Sequence, residues 1–274
     1  MKKLIFVLFV FACCIVQAER KFFALDNGLV DIKSVDEQAA LLKELGYAGI
    51  CTRPKKCTDE LLAAYDKHGV DISATYVVLP AGVGKTAVPV NIVNHFKKLK
   101  GRGTIVWLSL TNAKSPIEPA VELTRNVCDE AAKNGLSVVF YPHVGCLTTR
   151  IDTCEKIVKL ADRKNLGISF TLCHFLAQND HKKIESTIRS MAPHLKLVQI
   201  NGANELPEPK ADWKQLIQML GEGSLDVGRV IRTLDEIGYD GPVGLQCYKV
   251  SGSARKKLEA SMQAWKKYNK DLRK

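Results

Sequence analysis

Eight short apolar runs rich in β-forming residues, separated by amphipathic stretches, recur along the chain from residue 22 onward with no long linker between them. They fall at residues 22–25, 49–51, 71–79, 104–110, 137–143, 166–174, 195–201 and 242–248. Such regular alternation leaves few ways to remove apolar surface from water. Each run must pair with its neighbours and each amphipathic stretch must cover the resulting sheet, so the pattern predicts a single α/β domain over residues 19–274. The covering segments at 35–45, 117–132, 154–161, 184–191, 227–237 and 258–268 carry apolar residues at helical spacing, the first at positions 35, 39, 41, 42 and 45. Gly46, Gly69, Gly135 and Gly238 stand beyond helical segments, where a left-handed residue commonly ends a helix.

Eight strand–helix units in the roughly 256 residues after position 18 match the size of a closed (β/α)8 TIM barrel. A doubly wound open sheet is the alternative. Segments 138–141, 168–170 and 243–245 are apolar with little polar alternation, as expected of strands covered on both faces. Polar residues gather at the C-terminal ends of these runs, the end at which barrel enzymes build their sites.

Composition closes off other classes. With 46% hydrophobic and 25% charged residues, and only 19 Gly and 10 Pro, the chain is neither disordered, collagen-like nor a coiled coil. Its formal charge of +11 raises the question of an anionic partner, but the excess is local. Residues 249–274 hold nine basic and two acidic side chains and Lys2 and Lys3 add two more, so the body at 19–248 carries 29 basic against 27 acidic. The basic C-terminal helix has no aromatic interleaving and no recognition motif, which argues for a solvated face and against nucleic acid as a partner.

Lys2 and Lys3 precede an apolar run at 4–16, and Val16-Gln17-Ala18 has the small-x-small character of a signal-peptidase site, so residues 1–18 read as a cleaved export signal. The run is shorter than the roughly 20 residues a membrane span needs. Cys13 and Cys14 suggest a lipid anchor, yet Phe11-Ala12 matches a lipidation box poorly. The expected location is periplasmic or secreted. Disulfides are permitted there, but the seven remaining cysteines (Cys51, Cys57, Cys128, Cys146, Cys154, Cys173, Cys247) show no CxxC spacing and are odd in number, so buried free thiols are expected.

Gly82-Val83-Gly84-Lys85-Thr86 looks like a phosphate loop, but the position where that motif needs its first glycine is Leu79, so an irregular loop is the expectation. The chemistry lies elsewhere. Side chains two apart on a strand share a face, so parity lists the inward polar residues of the C-terminal rim. They are Tyr141 and His143 on the fifth strand, Thr171 on the sixth, Gln199 and Asn201 on the seventh, and Gln246 and Tyr248 on the eighth. His174 ends the sixth run. Two histidines at neighbouring strand ends, backed by amides and phenols, suit hydrogen bonding to a polyhydroxy ligand and proton transfer near neutral pH. His143 and His174 are therefore the catalytic candidates, and the other residues are candidates for substrate binding.

Longer motifs make this specific. Phe140-Tyr141-Pro142-His143-Val144-Gly145, Phe170-Thr171-Leu172-Cys173-His174, Val198-Gln199-Ile200-Asn201-Gly202, and the stretch from Leu220-Gly221-Glu222-Gly223 to Gly238-Tyr239-Asp240-Gly241-Pro242-Val243-Gly244-Leu245-Gln246 resemble the sugar phosphate isomerase/epimerase superfamily, with its xylose isomerase-like TIM barrel. The resemblance covers essentially the whole chain after the signal. It implies an enzyme acting on a sugar, keto-sugar or polyol by proton abstraction next to a carbonyl, giving isomerisation, epimerisation or elimination. Members with known chemistry hold a divalent metal with Glu, Asp, His and Glu on strands five to eight. The corresponding positions here are Tyr141, Thr171, Gln199 and Gln246, and neutral Thr and Gln oxygens are weak ligands for a hard cation. No metal ligand or cofactor is assigned. A divalent site built from His143 and His174 would be weak, unless carboxylates such as Asp26 or Glu222 fold into it. The same losses support an alternative, a non-catalytic carbohydrate-binding protein on the same barrel. An endonuclease IV-type repair nuclease would need a multi-zinc cluster that the motifs lack.

Overall fold

The computed structural model describes residues 20–271; the export signal read at 1–18, including Cys13 and Cys14, lies outside the described residues. Eight strands run β1 Phe22–Leu25, β2 Gly49–Thr52, β3 Asp71–Pro80, β4 Ile105–Thr111, β5 Ser137–Phe140, β6 Leu166–Thr171, β7 Leu195–Ile200 and β8 Val243–Leu245. They pair in chain order, and β8 closes on β1 in parallel with Phe22 opposite Val243 and Ala24 opposite Leu245. The eight parallel strands thus form a closed TIM barrel and the open-sheet alternative is excluded. The helices are α1 Val35–Leu45, α2 Asp59–His68, α3 Val90–Lys98, α4 Ile117–Ala132, α5 Ile151–Ala161, α6 Leu172–Leu176, α7 Ile184–Met191, α8 Trp213–Leu216, α9 Gly228–Glu236 and α10 Ala254–Asp271. Among the described residues no helix is long and apolar enough to cross a membrane.

Three strands end three residues earlier than their apolar patterns suggest. β5 stops at Phe140 because Pro142 has no N–H with which to extend the ladder. β6 gives way at Leu172 to the short helix α6, so His174 sits on a helical turn above the rim and not on the strand itself. At β8 the Gln246 N–H still reaches Ile200 O, but the Cys247 N–H turns to Asn27 Oδ1 at 3.1 Å, which draws the chain off the sheet. Helices α2 and α3 were not among the covering segments read above. Each buries only three residues, Leu61, Leu62 and Tyr65 in one and Ile92, His95 and Phe96 in the other. Their ends are nonetheless well specified: Thr58 accepts the Leu61 N–H at the start of α2, and Gly69, at φ 64°, terminates it in the left-handed region.

Strand alternation divides the core in two. Phe22 faces outward and stacks on Trp265 of α10 at 4.4 Å, while Phe23 faces inward. The inner core, inside the barrel, contains Phe23, Leu25, Cys51, Ala74, Ile105, Trp107, Val139, Tyr141 and Leu197. The much larger outer core lies between strands and helices. All seven described cysteines are free and buried.

His95 is a polar residue in the outer core. It is 4% exposed, its Nε2 lies 2.8 Å from Thr75 Oγ1 on β3, and its Nδ1 has no partner. Burial, reinforced by the nearby Lys98, lowers its pKa to about 4. The unfolded chain therefore binds the proton more readily between about pH 6.5 and pH 4, and stability present above that window is lost as pH falls through it. His95→Gln, which cannot take up the proton, should reduce the loss of unfolding free energy between pH 7 and pH 5 by on the order of 1 kcal/mol. Urea melts at the two pH values measure this; an unchanged loss in the variant would show that His95 does not contribute.

Candidate active site

Trp107 of β4 closes the barrel axis. It is fully buried, donates from Nε1 to Ser169 Oγ of β6 at 2.8 Å, and stacks on Tyr141 at 4.0 Å with ring planes 14° apart. Above this floor, at the C-terminal rim, opens a cavity of about 320 Å³. Its walls are contributed by Leu25 at the end of β1 and Asp26 and Asn27 after it, by Cys51, Thr52 and Arg53 at β2, and by Tyr76 of β3. The wall continues through Tyr141, His143 and His174, then Trp213 and Ile217 of the loop after β7, and Gln246 and Tyr248 after β8. Aromatic faces with a few convergent polar groups are the usual lining of a small-molecule site.

The two histidines stand side by side, ring centroids 4.1 Å apart, with Tyr141 edge-on to each at 5.4 Å. One residue's main chain sets the protonation of both. The Val144 carbonyl lies 2.8 Å from His143 Nδ1, and since a carbonyl only accepts, His143 carries its proton there and presents a bare Nε2. The Val144 N–H points at His174 Nδ1 at 3.4 Å. That bond is long, but a proton on the same nitrogen would oppose the N–H, so His174 carries its proton on Nε2. The pair thus offers opposite tautomers, one acceptor and one donor. Burial holds both neutral: it lowers the His143 pKa despite the Val144 hydrogen bond, and burial with the neighbouring His143 lowers His174 to about 3. Burial also holds the Tyr141 phenol protonated, well above its ordinary pKa.

The remaining residues read from the sequence divide. Gln246 lines the cavity with its amide oriented from behind: Oε1 accepts from Asn27 Nδ2 and from the Tyr248 N–H, leaving Nε2 toward Tyr141 Oη at 3.5 Å. Tyr248 stands at the mouth. Thr171, Gln199 and Asn201 do not line this cavity. Thr171 donates to Pro142 O at 2.9 Å and borders a separate space of about 200 Å³ that it shares with His174 and Arg150. Gln199 is fully buried, donating to Asn201 Oδ1 and accepting from the Cys173 thiol. Asn201 donates to Gly202 O and Leu216 O, both at 2.7 Å, and so secures the loop that carries Trp213. Parity assigns these three to the inner face but says nothing of depth.

Asp26, Arg53, Tyr76, Trp107 and Trp213 were not among the candidate residues, although Asp26 was named as a carboxylate that might fold inward. Among the described residues it is the only carboxylate lining the cavity, and it is engaged by Lys56 at 2.9 Å and Arg53 at 3.6 Å. The glycine-rich stretch 82–86 contributes nothing to the lining. A divalent metal of the kind the resemblance implies does not fit these residues. Thr171, Gln199 and Gln246 have their oxygens in internal hydrogen bonds, Tyr141 is a neutral phenol, and among the described residues no three His, Cys, Asp or Glu side chains converge to hold an ion.

Comparison with known proteins places this geometry. The profile of the xylose isomerase-like TIM barrel family matches residues 103–268. Over 124 residues the chain is 31% identical to an inosose dehydratase of Geobacillus thermodenitrificans (strain NG80-2), a match spanning 41% of this chain and 41% of that enzyme. Solved structures of like fold include an AP endonuclease, family 2, from Brucella melitensis (TM-score 0.68, 18% identity, 88% of this chain and 97% of that one). They also include the IOLI protein with a bound zinc atom (0.68, 19%, 92% and 97%) and the 3-keto-D-glucoside 4-epimerase YcjR of E. coli (0.68, 13%, 90% and 98%). At these identities the structural likeness is one of fold.

Two measurements test the site. In protein labelled with 15N-histidine, His143 should show the Nδ1–H and His174 the Nε2–H neutral tautomer at pH 7, with His174 still neutral at pH 5; a shared tautomer, or a cationic His174 at pH 5, would contradict the assignment. Asn201→Ala should cost about 1–3 kcal/mol in urea unfolding because the Leu216 carbonyl loses the Asn201 donor while the Gly202 carbonyl keeps the Gln218 N–H, and a loss below about 0.5 kcal/mol would show that the loop does not depend on it.

Proposed function

The chain belongs to the xylose isomerase-like TIM barrel family, and on that premise we propose that it is an enzyme acting on a sugar, keto-sugar or polyol by proton transfer at a carbon next to a carbonyl. The observation that carries the proposal is the pair of Val144 main-chain contacts, carbonyl to His143 and N–H to His174, which assign the two rings opposite tautomers. A base for carbon needs a bare lone pair, and the oxygen that gains charge as the proton leaves needs a donor; His143 Nε2 and His174 Nε2–H supply one each.

In this reading His143 Nε2 takes the proton from carbon and becomes an imidazolium, while the electrons of the C–H bond move into an enediolate whose oxygen accepts a hydrogen bond from His174. Return of the proton to the neighbouring carbon, with the enediolate's hydroxyl proton passing to the former carbonyl oxygen, gives isomerisation; its return to the same carbon after the intermediate has turned its other face to His143 gives epimerisation; and its transfer to a β-hydroxyl, which departs as water, gives elimination. Depression of both pKa values keeps the two rings neutral at pH 7, the state in which they can act. The imidazolium is an unfavourable charge at a largely buried position, and the enediolate beside it offsets that cost. Tyr141 and the Gln246 amide bound the reacting region, and Tyr76, Trp107 and Trp213 line the space left for the carbon skeleton. The export signal read at residues 1–18 supports action outside the cytoplasm on free, non-phosphorylated sugars.

The test is hydrogen exchange in deuterium oxide. With a panel of free keto-sugars such as D-fructose and D-sorbose, exchange at the carbonyl-adjacent carbon, followed by proton NMR, should fall at least 100-fold in His143→Asn, with the melting temperature preserved. Binding of the panel without exchange in the wild-type protein would overturn the enzyme reading in favour of carbohydrate binding alone.

A further inference from the structure

The cavity contains a charge that proton transfer does not use. Among the described residues Arg53 is the only lysine or arginine lining it, and Asp26 the only carboxylate. Asp26 lies on the 3-10 turn Asp26–Gly28 after β1, with its side chain 11% exposed, and two cations share it. Lys56 is the nearer, at 2.9 Å, and Arg53 approaches the other oxygen at 3.6 Å with its own side chain 51% exposed. Two positive charges against one negative leave a surplus of one. The surplus falls on Arg53, because the shorter contact belongs to Lys56 and because a guanidinium has five N–H donors, which one oxygen at 3.6 Å leaves largely unengaged.

Its position follows from closure. Arg53 comes directly after β2 and His174 three residues after the end of β6. In a ring of eight strands these are four apart, so they stand on opposite sides of the mouth. Between them on one side, above the Trp107 floor, stand Tyr76 of β3 and Tyr141, with the Tyr76 ring 6.4 Å from that of His143. A ligand reaching across the cavity would meet neutral hydrogen-bonding groups at one end, aromatic faces along its length, and one cation at the other.

From this arrangement, and resting on the reading of the site as a sugar-binding active site, we propose that the substrate is a sugar acid, whose carboxylate pairs with Arg53 at the end remote from the reacting carbon. A guanidinium fork matches a carboxylate with two parallel hydrogen bonds, and one surplus positive charge balances one negative. A phosphate monoester carries about −1.5 to −2 at neutral pH, more than the surplus offered here. Placing the anion far from the histidines also leaves their neutrality undisturbed until the proton moves. Arg53 is then the residue that selects acids over neutral sugars.

Matched pairs that differ only at C6 test this by calorimetry: D-glucuronate against D-glucose and D-galacturonate against D-galactose, with D-glucose 6-phosphate as a third arm. In at least one pair the acid should bind about tenfold more tightly than its neutral partner at low ionic strength. Arg53→Gln should bring that acid down to its partner's affinity without changing the neutral sugar's affinity or the melting temperature. The proposal is overturned if no pair shows a preference for the acid, if Arg53→Gln weakens both members alike, or if the phosphate ester binds better than the uronate. Hydrogen exchange separates it from the reading on which it rests. Exchange on a neutral keto-sugar with no preference for acids sinks this proposal alone; an Arg53-dependent preference without exchange sinks proton transfer alone.

Discussion

A barrel closed by parallel strands has an axis that only its own side chains can fill, and here the filling is done chiefly by one indole. Trp107 reaches across to Ser169 and stacks under Tyr141, so β4, β5 and β6 are tied together at the level where the inner core ends and the cavity begins. Loss of that ring would remove one of the largest buried side chains of the inner core and the floor on which the cavity rests, at a cost of about 3–5 kcal/mol. The heights of Tyr141 and of the two histidines beside it follow from this contact.

Above the floor, the rim replaces ionic chemistry with neutral hydrogen bonding. Where carboxylates would have to be held in place by a cation, Thr171, Gln199 and Asn201 knit the ends of β5, β6 and β7 to the loops that follow them. These buried polar groups are satisfied by protein partners and add no net charge to the centre of the barrel. The ionic groups that remain, Asp26, Arg53 and Lys56, are displaced to the β1–β2 side of the mouth, where solvent reaches them. The cavity is therefore polarised across its width: neutral and more deeply buried at the histidines, charged and more exposed at the opposite edge.

Much of this was legible from residue order. The eight apolar runs and their helical covers specify the barrel because parallel strands buried on both faces have few other ways to pack, and parity places Tyr141, His143 and Gln246 at the inner rim. What could not be read has definite physical reasons. Parity gives a face and not a depth, so Thr171, Gln199 and Asn201 passed for cavity residues although they lie within the rim. Arg53 sits in Thr-Arg-Pro-Lys, a sequence that resembles any exposed turn; its meaning arises only when closure brings β2 opposite β6. Trp213 enters the site on a loop whose course depends on the amide of Asn201. Helix α3 hid because His95, a polar residue, occupies a core position in its stripe.

The main chain of Val144 has a consequence for how such a site can change over evolutionary time. Since the donor–acceptor order of the two imidazoles comes from an N–H and a C=O that nearly any amino acid possesses, replacement of the valine side chain is invisible to it. The order is inherited as a loop path, and the path is constrained next door by Gly145, whose φ of 86° suits glycine far better than other residues. Descendants of this chain can therefore drift freely at 144 while retaining the same chemistry, and a lineage that reverses the roles of base and acid has to do so by rebuilding the turn.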